Sequence, residues 1–134
     1  MIGMVVVTHG RLADEFVAAT EHVVGQQEAT RTVCIGAEDD MDMRRNEIIQ
    51  AVDACESGDG VVIFTDMFGG TPSNLAISVM GSGKIEVIAG ANLPMLIKFA
   101  EVRDKTTLAE ACQLAHDAGH KFIRVVSDLL QRAE

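Results

Sequence analysis

His9 and Asp66 are the residues of this sequence whose types and surroundings best suit chemistry. His9 lies within Thr8-His9-Gly10, directly after a continuous apolar run, and Asp66 follows Thr65 at the end of a second such run. A carboxylate that accepts a hydrogen bond from one imidazole nitrogen fixes the tautomer of the ring and leaves the other nitrogen as a nucleophile or base. The two residues therefore predict nucleophilic or acid–base chemistry if the fold brings them together.

The glycine-rich segment that follows Asp66 is typical of a site for a phosphoryl group. Gly69-Gly70 permit positive φ angles and allow a ligand to approach the backbone closely. Thr71 is expected to be the N-cap of a helix, and Pro72 suits its first position because it lacks an N–H and has a fixed φ. Unpaired N–H groups at such a helix start bind anions, most naturally phosphate. Because a carboxylate repels anions, Asp66 is expected to serve a cationic or proton-bearing group.

Four apolar segments predict the strands that must position these residues. A strand that is apolar along its whole length is typical of a parallel sheet covered on both faces. The expected strands are Ile2–Val7, Thr30–Ile35, Gly60–Phe64 and Ile85–Ala89. Helical patterns cover Leu12–Val24, Asp39 or Asp40 to Cys55, Thr71 to Met80, a segment that starts at Pro94, and Thr107 to Ala118. This alternation predicts an α/β fold with a doubly wound, mainly parallel open sheet and helices on both faces, a three-layer α/β/α arrangement.

The predicted sheet gives a physical reason for placing His9 beside Asp66. In open parallel sheets, ligands bind at the carboxyl ends of the strands, where the strand order reverses. His9 follows the first strand and Asp66 follows the third, so their side chains meet if those strands are neighbours. The less favoured alternative for His9 is a loop histidine without a role. His22, His116 and His120 lie on predicted helices or near a helix end and are expected to be solvated or capping residues.

The segment after Gly119 leaves two interpretations open. Four apolar residues recur at the spacing of a helix: Phe122, Val126, Leu129 and Leu130. Residues 120–126 could equally form a strand, because that stretch is rich in β-branched side chains. The sequence alone does not decide between them.

Composition and charge describe a globular chain and exclude some partners. The 134 residues suit a single domain, 1–134, and the hydrophobic share of 48% is not that of a disordered segment. The formal net charge of -9 argues against nucleic acid and favours a partner with a basic face. Three cysteines without CxxC or Cys/His spacing predict free thiols and no metal site. No signal peptide or long apolar segment is recognisable, so we expect a cytoplasmic protein.

Over nearly its whole length, the sequence resembles the mannose-type IIA component of the bacterial phosphoenolpyruvate-dependent sugar phosphotransferase system. The resemblance rests on three stretches: Thr8-His9-Gly10, Thr-Asp-Met-Phe-Gly-Gly-Thr-Pro-Ser-Asn at 65–74, and Gly-Ala-Asn-Leu-Pro-Met-Leu at 90–96. It implies a doubly wound fold and a phosphotransferase that works through a phosphohistidine. The helix start after Gly69-Gly70 can hold a phosphoryl group by itself, so we expect transfer without a metal or other cofactor.

The resemblance also implies roles for particular residues and partners. His9 would receive the phosphoryl group from the carrier HPr and pass it to a IIB component, while Asp66 orients the ring and Gly70 and Thr71 hold the group. Because the chain stops at Glu134, the IIB component is expected to be a separate protein. A homodimer is expected, in which a fifth strand near residues 120–126 is exchanged between the subunits. Peripheral association with the membrane components would follow.

Two other functions are compatible with the sequence. The phosphocarrier subunit of dihydroxyacetone kinase has a similar fold and also carries an N-terminal histidine, but its central loop usually lacks the Phe-Gly-Gly-Thr-Pro run found at 68–72. A non-catalytic regulatory module would use His9 only to contact a ligand. A receiver domain phosphorylated on aspartate is disfavoured, because the first strand does not end in the paired acids that hold magnesium.

Overall fold

The computed structural model describes residues 1–81 and 84–133, which form one parallel sheet flanked by helices. The strands are β1 (Gly3–His9), β2 (Thr30–Ile35), β3 (Val61–Thr65) and β4 (Ile85–Ala89). The helices are α1 (Leu12–Val24), α2 (Met41–Cys55), α3 (Thr71–Ser78), α4 (Leu93–Val102), α5 (Leu108–Lys121) and α6 (Val126–Ala133). The strand order is β2-β1-β3-β4, and every neighbouring pair is parallel.

The central strands place alternate side chains in two apolar cores, one on each face of the sheet. Met4 and Val6 of β1 pack with Phe64 of β3 and with helices α1, α4 and α5. Val5 and Val7 point to the opposite face, where α2 and α3 cover them. Because both faces are covered, side chains on both faces of these strands are buried, which explains their continuous apolar runs. The three-layer α/β/α fold predicted from the sequence is confirmed.

The strand order brings the carboxyl ends of β1 and β3 together. β1 lies between β2 and β3, and Val7 is in register with Thr65. β1 ends at His9, two residues later than predicted, because its pairing with β2 continues to Ile35. The order reverses between β1 and β3, since β2 lies on one side of β1 and β3 on the other. His9 and Asp66 therefore both lie at the edge of the sheet where ligands bind in such folds.

Capping hydrogen bonds confirm two of the predicted helix starts. At the start of α2, the side chain of Asp40 accepts the backbone N–H groups of Asp42 and Met43. At the start of α5, Thr107 and Glu110 form the predicted capping box. Such bonds satisfy N–H groups that have no partner inside the helix. Local sequence is therefore sufficient to define where these two helices begin.

The predicted ends of α3 are wrong by a few residues. The N-cap is Gly70 and not Thr71, which is already the first helical residue, and no side chain caps this helix. Gly70 has an extended backbone, with φ of -93° and ψ of 173°. The helix ends at Ser78 instead of Met80. The N–H of Thr71 therefore belongs to the first turn of α3, next to Gly70.

Gly119 does not end α5, contrary to the prediction of a helix that ends near Ala118. The helix continues to Lys121, and Gly119 is buried within it. A Cβ on Gly119 would lie 3.1 Å from Cβ of Met95 and 3.2 Å from Oδ1 of Asn92, so the start of α4 packs closely against this glycine. Asn92, the N-cap of α4, donates its amide N–H to the carbonyl oxygen of Gly119 at 3.0 Å. Tertiary packing outweighs the low helix propensity of glycine here.

The C-terminal segment contains a helix, and the described residues beyond Ala89 include no strand. After α5 ends at Lys121, residues 122–125 lead into α6. The large apolar side chains of this segment are all exposed: Phe122, Ile123, Val125, Val126, Leu129 and Leu130. A helix of only eight residues is not stable by itself in water. The segment therefore presents an apolar surface suited to packing against another element.

Arg103 is a buried cation at the amino edge of the sheet, opposite His9. Its side chain is 1% exposed and donates hydrogen bonds to the carbonyl oxygens of Ile2 and Ala29 at 2.9 and 2.7 Å. It also donates to the side chains of Gln27 and Thr30, both at 3.1 Å. Burial lowers the pKa of Arg103 from its ordinary value. These neutral acceptors replace water around the charge and tie the end of α4 to the starts of β1 and β2.

Candidate active site

His9 and Asp66 are in direct contact at the carboxyl edge of the sheet. Oδ2 of Asp66 lies 2.8 Å from Nδ1 of His9, and the same oxygen accepts the backbone N–H of His9 at 3.0 Å. The other carboxylate oxygen accepts the backbone N–H of Met67 at 3.1 Å. The side chain of Asp66 is 11% exposed. Two backbone N–H groups thus fix the carboxylate, and the carboxylate fixes the ring.

These contacts determine which nitrogen of His9 is available for chemistry. A carboxylate can only accept hydrogen bonds, so Nδ1 carries the proton and Nε2 of the neutral ring has a free lone pair. The side chain of His9 is 49% exposed, which leaves Nε2 open to an incoming group. The arrangement provides an oriented nucleophile and, on the other side of the ring, a negative charge that stabilises an imidazolium.

Gly70 packs against the ring of His9 on the side of Nε2. A Cβ on Gly70 would lie 2.9 Å from Cε1 and 3.2 Å from Nε2 of His9. The φ angle of Gly70 is -93°, which any residue adopts, so glycine is needed at this position for space. Gly69 is the residue with a positive φ, at 90°. Glycine is therefore required at the two positions of the loop for different reasons, namely space at Gly70 and backbone conformation at Gly69.

The start of α3 borders the same cavity as His9. Thr71 and His9 both line a cavity of about 330 Å³ at the carboxyl edge of the sheet. N–H groups in the first turn of a helix have no partner within it, and the helix dipole adds positive potential there. Pro72 contributes no N–H to this turn, whereas Thr71 does. A negatively charged group attached to Nε2 would lie beside Gly70 and this helix start.

The remaining walls of this cavity are apolar, and no sequence motif indicated them. Ile35 at the end of β2, Ala37 in the following loop and Met41 at the start of α2 form these walls. Asp39 fixes the loop, because it accepts the N–H of Gly36 at 2.6 Å and the Nε–H of Arg44 at 2.8 Å. Those two hydrogen bonds hold the pKa of Asp39 below its ordinary value. Only the strand order, which places the end of β2 next to β1, could have pointed to these residues.

The other candidate residues lie apart from His9. In α5, His116 contacts Asp117, and both side chains are largely exposed. All three cysteines are free, and burial raises the pKa of Cys112 to about 11, so its thiol is protonated at neutral pH. Across 1–81 and 84–133, no group of three or more His, Cys, Asp and Glu residues is arranged to hold a metal ion. The helices within those ranges are too short or too polar to span a bilayer.

Comparison with known proteins assigns this chain to a family. A family model described as PTS system fructose IIA component (EIIA-man) matches residues 3–115. The PTS system mannose-specific EIIAB component of Escherichia coli (strain K12) is 27% identical over 127 residues, which is 93% of this chain. This chain spans 39% of the length of that relative.

Two solved structures share the fold. The phosphotransferase system component EIIA from Streptococcus agalactiae superposes with a TM-score of 0.86, covering 96% of this chain and 99% of that one. Its sequence identity is 24%, so it supports the fold alone. The mannose/sorbose specific IIA subunit of the phosphotransferase system from Enterococcus faecalis has a TM-score of 0.82 at 26% identity, with 92% and 93% of the two chains covered.

Proposed function

Since the chain belongs to the mannose-type IIA family (EIIA-man) of the sugar phosphotransferase system, we propose that it accepts a phosphoryl group on His9 and passes it on. As a IIA component it has a role in sugar phosphotransfer. The proposed donor is phosphorylated HPr and the proposed acceptor is a IIB component, in sugar uptake or in a regulatory phosphorelay. The reaction would take place in the cytoplasm, with peripheral contact to the membrane components of the system.

In the proposed reaction, the phosphoryl group moves from the donor to Nε2 of His9 and from there to the acceptor. Nε2 attacks the phosphorus in line with the N–P bond of the donor, so that one N–P bond forms as the other breaks. No proton has to leave His9, because Nε2 of the neutral tautomer already has its lone pair. The acceptor then attacks the same phosphorus, and Nε2 is the leaving group. Both steps require an open Nε2, and the half-exposed ring satisfies this requirement.

Asp66 and the start of α3 would stabilise the charges that appear during transfer. The phosphorylated ring keeps its proton on Nδ1 and gains positive charge, which the carboxylate 2.8 Å away offsets. The phosphoryl oxygens would lie beside Gly70 and Thr71, where unpaired N–H groups offset their negative charge. Because protein groups can balance both charges, we expect the transfer to proceed without a metal.

The observation that carries this proposal is the contact of Asp66 with Nδ1, which leaves Nε2 exposed beside Gly70. The test first phosphorylates HPr with radiolabelled phosphoenolpyruvate and enzyme I and isolates the phosphorylated HPr. The purified chain is then incubated with this donor in the presence of EDTA, which removes metal. We expect label that depends on HPr and that moves on to a IIB component. A chain that takes no label from active phosphorylated HPr would contradict the proposal and favour a non-catalytic binding module.

The variant Asp66→Asn is expected to slow phosphorylation by at least ~10-fold, or about 1.4 kcal/mol of barrier. The asparagine oxygen can still accept both N–H groups of His9, so the ring should keep its orientation. The negative charge that stabilises the phosphorylated ring is lost. Single-turnover transfer from phosphorylated HPr, followed by rapid quench, measures the effect.

Asp66→Ala separates the two contributions of this carboxylate. It removes both the charge and the hydrogen bond that orients the ring, so its rate should fall below that of Asp66→Asn. Thermal unfolding of both variants checks that the fold is retained. Phosphorylation of Asp66→Asn at the wild-type rate would show that the charge of Asp66 has only a structural role.

We also propose that the chain forms a homodimer, because an open edge of the sheet and an exposed apolar segment could cover each other in two copies. Among the residues described, β4 pairs with β3 on one side only, so its other edge carries unpaired backbone groups. A cavity of about 540 Å³ lies beside this edge, between β4 and α5. The exposed apolar segment 122–130 of a second copy has a suitable character to cover it.

Replacing both Leu129 and Leu130 by serine is expected to dissociate this dimer. Burial of a leucine contributes about 1.5–3 kcal/mol, so losing two should weaken association by at least ~100-fold. Sedimentation velocity over a concentration series measures the change. Val23→Ser is the matched control, because Val23 is similarly exposed at the far end of α1. A wild-type chain that is monomeric at micromolar concentration would contradict the proposal.

A further inference from the structure

We propose that Thr8 is a positioning residue for His9, whose buried hydroxyl ties the start of α1 to the end of β1 and thereby fixes the backbone that carries the ring. This inference rests on the proposed function of His9 and adds a residue that controls the aim of Nε2. Thr8 is fully buried, so it acts through the backbone and does not touch the donor.

The hydroxyl of Thr8 caps α1 in place of the residue at the N-cap position. Oγ1 of Thr8 accepts the backbone N–H of Ala13 at 2.7 Å. Arg11, which occupies the N-cap position, makes no side-chain cap hydrogen bond. N–H groups in the first turn have no partner within the helix, and water does not reach Ala13, which is fully buried. Thr8 therefore supplies the acceptor that this buried N–H needs.

Thr8 and His9 point to opposite faces of the sheet. Successive side chains of a strand alternate between the faces. Thr8 lies on the face of Val6, which α1 covers, and His9 lies on the face of Val7, which α2 and α3 cover. The cavity that His9 shares with Thr71 is on this second face. A hydrogen bond on one face thus holds the backbone from which the reactive ring projects on the other.

The loop between β1 and α1 is too short to absorb a movement of the helix. It is two residues long, and its first residue, Gly10, has a φ of 55° and donates its N–H to the carbonyl oxygen of Ile35 at 2.9 Å. The backbone N–H of His9 is held by Asp66 at 3.0 Å. These two bonds hold the strand end of the loop, and the hydroxyl of Thr8 holds its helical end.

Thr8→Val is expected to lower the rate of transfer to Nε2 by at least ~10-fold. Valine has the shape of threonine but lacks the acceptor, so the N–H of Ala13 would be left buried and unpaired. The first turn of α1 should then open or move toward water, and the loop with His9 should follow it. The reason for the lost rate is that displacements of about 1 Å at reacting groups slow transfer strongly.

The test measures single-turnover phosphorylation with two donors. Phosphorylated HPr has to dock, whereas phosphoramidate needs only access to Nε2, to which it transfers its phosphoryl group with release of ammonia. Both rates should fall in Thr8→Val, with an unchanged KM for phosphorylated HPr, because the change affects the chemical step. Thr8→Ser keeps the oxygen and should recover most of the loss. Thr8→Ala removes the acceptor without placing a methyl group against Ala13, and it should slow transfer as Thr8→Val does.

Nitrogen NMR of the histidine-labelled chain adds a readout that a merely structural role would not move. Neutral His9 of the wild type should show the tautomer with the proton on Nδ1, because Asp66 accepts there. In Thr8→Val, the shifts of its two ring nitrogens should move toward the average of both tautomers.

Thr107→Val is the matched control. It removes the hydroxyl that accepts the N–H of Glu110 at 3.2 Å at the start of α5, at the amino edge of the sheet. The melting temperature should fall, because a helix cap is lost, whereas the rate and the tautomer of His9 should stay as in the wild type.

Wild-type rates and tautomer in Thr8→Val and Thr8→Ala would overturn the role of Thr8. An equal loss of rate in Thr8→Ser would also overturn it, because the methyl group and not the hydroxyl would then matter. A similar loss in Thr107→Val would assign the effect to stability alone. If neither donor labels the wild type, the proposed function of His9 fails, and the tautomer of His9 in Thr8→Val still decides whether Thr8 positions the ring.

Discussion

Replacement of His9 by alanine is expected to abolish the uptake of label from phosphorylated HPr, with a loss of more than roughly a thousandfold. The substitution removes the nucleophile Nε2, and the neighbouring carboxylate of Asp66 faces Nδ1 instead of the incoming group. The fold should survive, because the side chain of His9 is half exposed and Asp66 keeps its bonds to two backbone N–H groups. Labelling followed by electrophoresis measures the loss.

The same experiment tests which histidine is modified. His116→Ala and His120→Ala change exposed residues of α5 and should retain full labelling. The label on the wild type should be lost in acid and kept in alkali, as expected of an N–P bond. Label that persists in His9→Ala, or that disappears in either control, would place the phosphorylated residue elsewhere.

The contact between His9 and Asp66 could be predicted from the sequence, on the condition that their strands are neighbours, because two rules lead to it. Continuous apolar runs indicate strands covered on both faces, and Val5, Val7 and Ile63 are indeed fully buried in a core beneath α2 and α3. Polar residues directly after such runs lie at the carboxyl edge, where ligands bind in such sheets. That β1 and β3 are neighbours is a condition of the prediction, and the observed strand order meets it. Neither rule requires knowledge of side-chain packing.

The features that escaped prediction depend on contacts between distant parts of the chain. Gly119 continues α5 because Met95 and Asn92 pack against it from α4. Arg103, which by its type would be expected in solvent, is buried because backbone carbonyls of two other segments surround it. The cavity beside His9 likewise combines the loop after β2 with the start of α3, which the sequence separates by about 30 residues. Such contacts leave no local pattern of spacing or capping.

The close packing of Gly70 against the ring of His9 is another contact between distant parts of the chain. A substitution at Gly70 is the second change from which we expect a large loss of rate. Gly70→Ala should lower the rate of phosphorylation by about 100-fold, because reacting groups displaced by about 1 Å lose rate on this scale. The new Cβ would lie 2.9 Å from Cε1 of His9, and the ring cannot turn away freely because Asp66 holds Nδ1. The backbone of Gly70 is unstrained for alanine, so the melting temperature should hardly change.

Gly69→Ala is the matched variant, because Gly69 is required for its backbone conformation, whereas Gly70 is required for space. Its φ of 90° strains an alanine, at about 1–2 kcal/mol, but a Cβ there meets nothing within 4 Å. Gly69→Ala should therefore lower the melting temperature, whereas Gly70→Ala should lower the rate. The loss in Gly70→Ala should be equal with phosphorylated HPr and with phosphoramidate, since both need Nε2. A loss confined to the protein donor would mean that Gly70 serves docking, and wild-type rates with both donors would show that the ring has room to move.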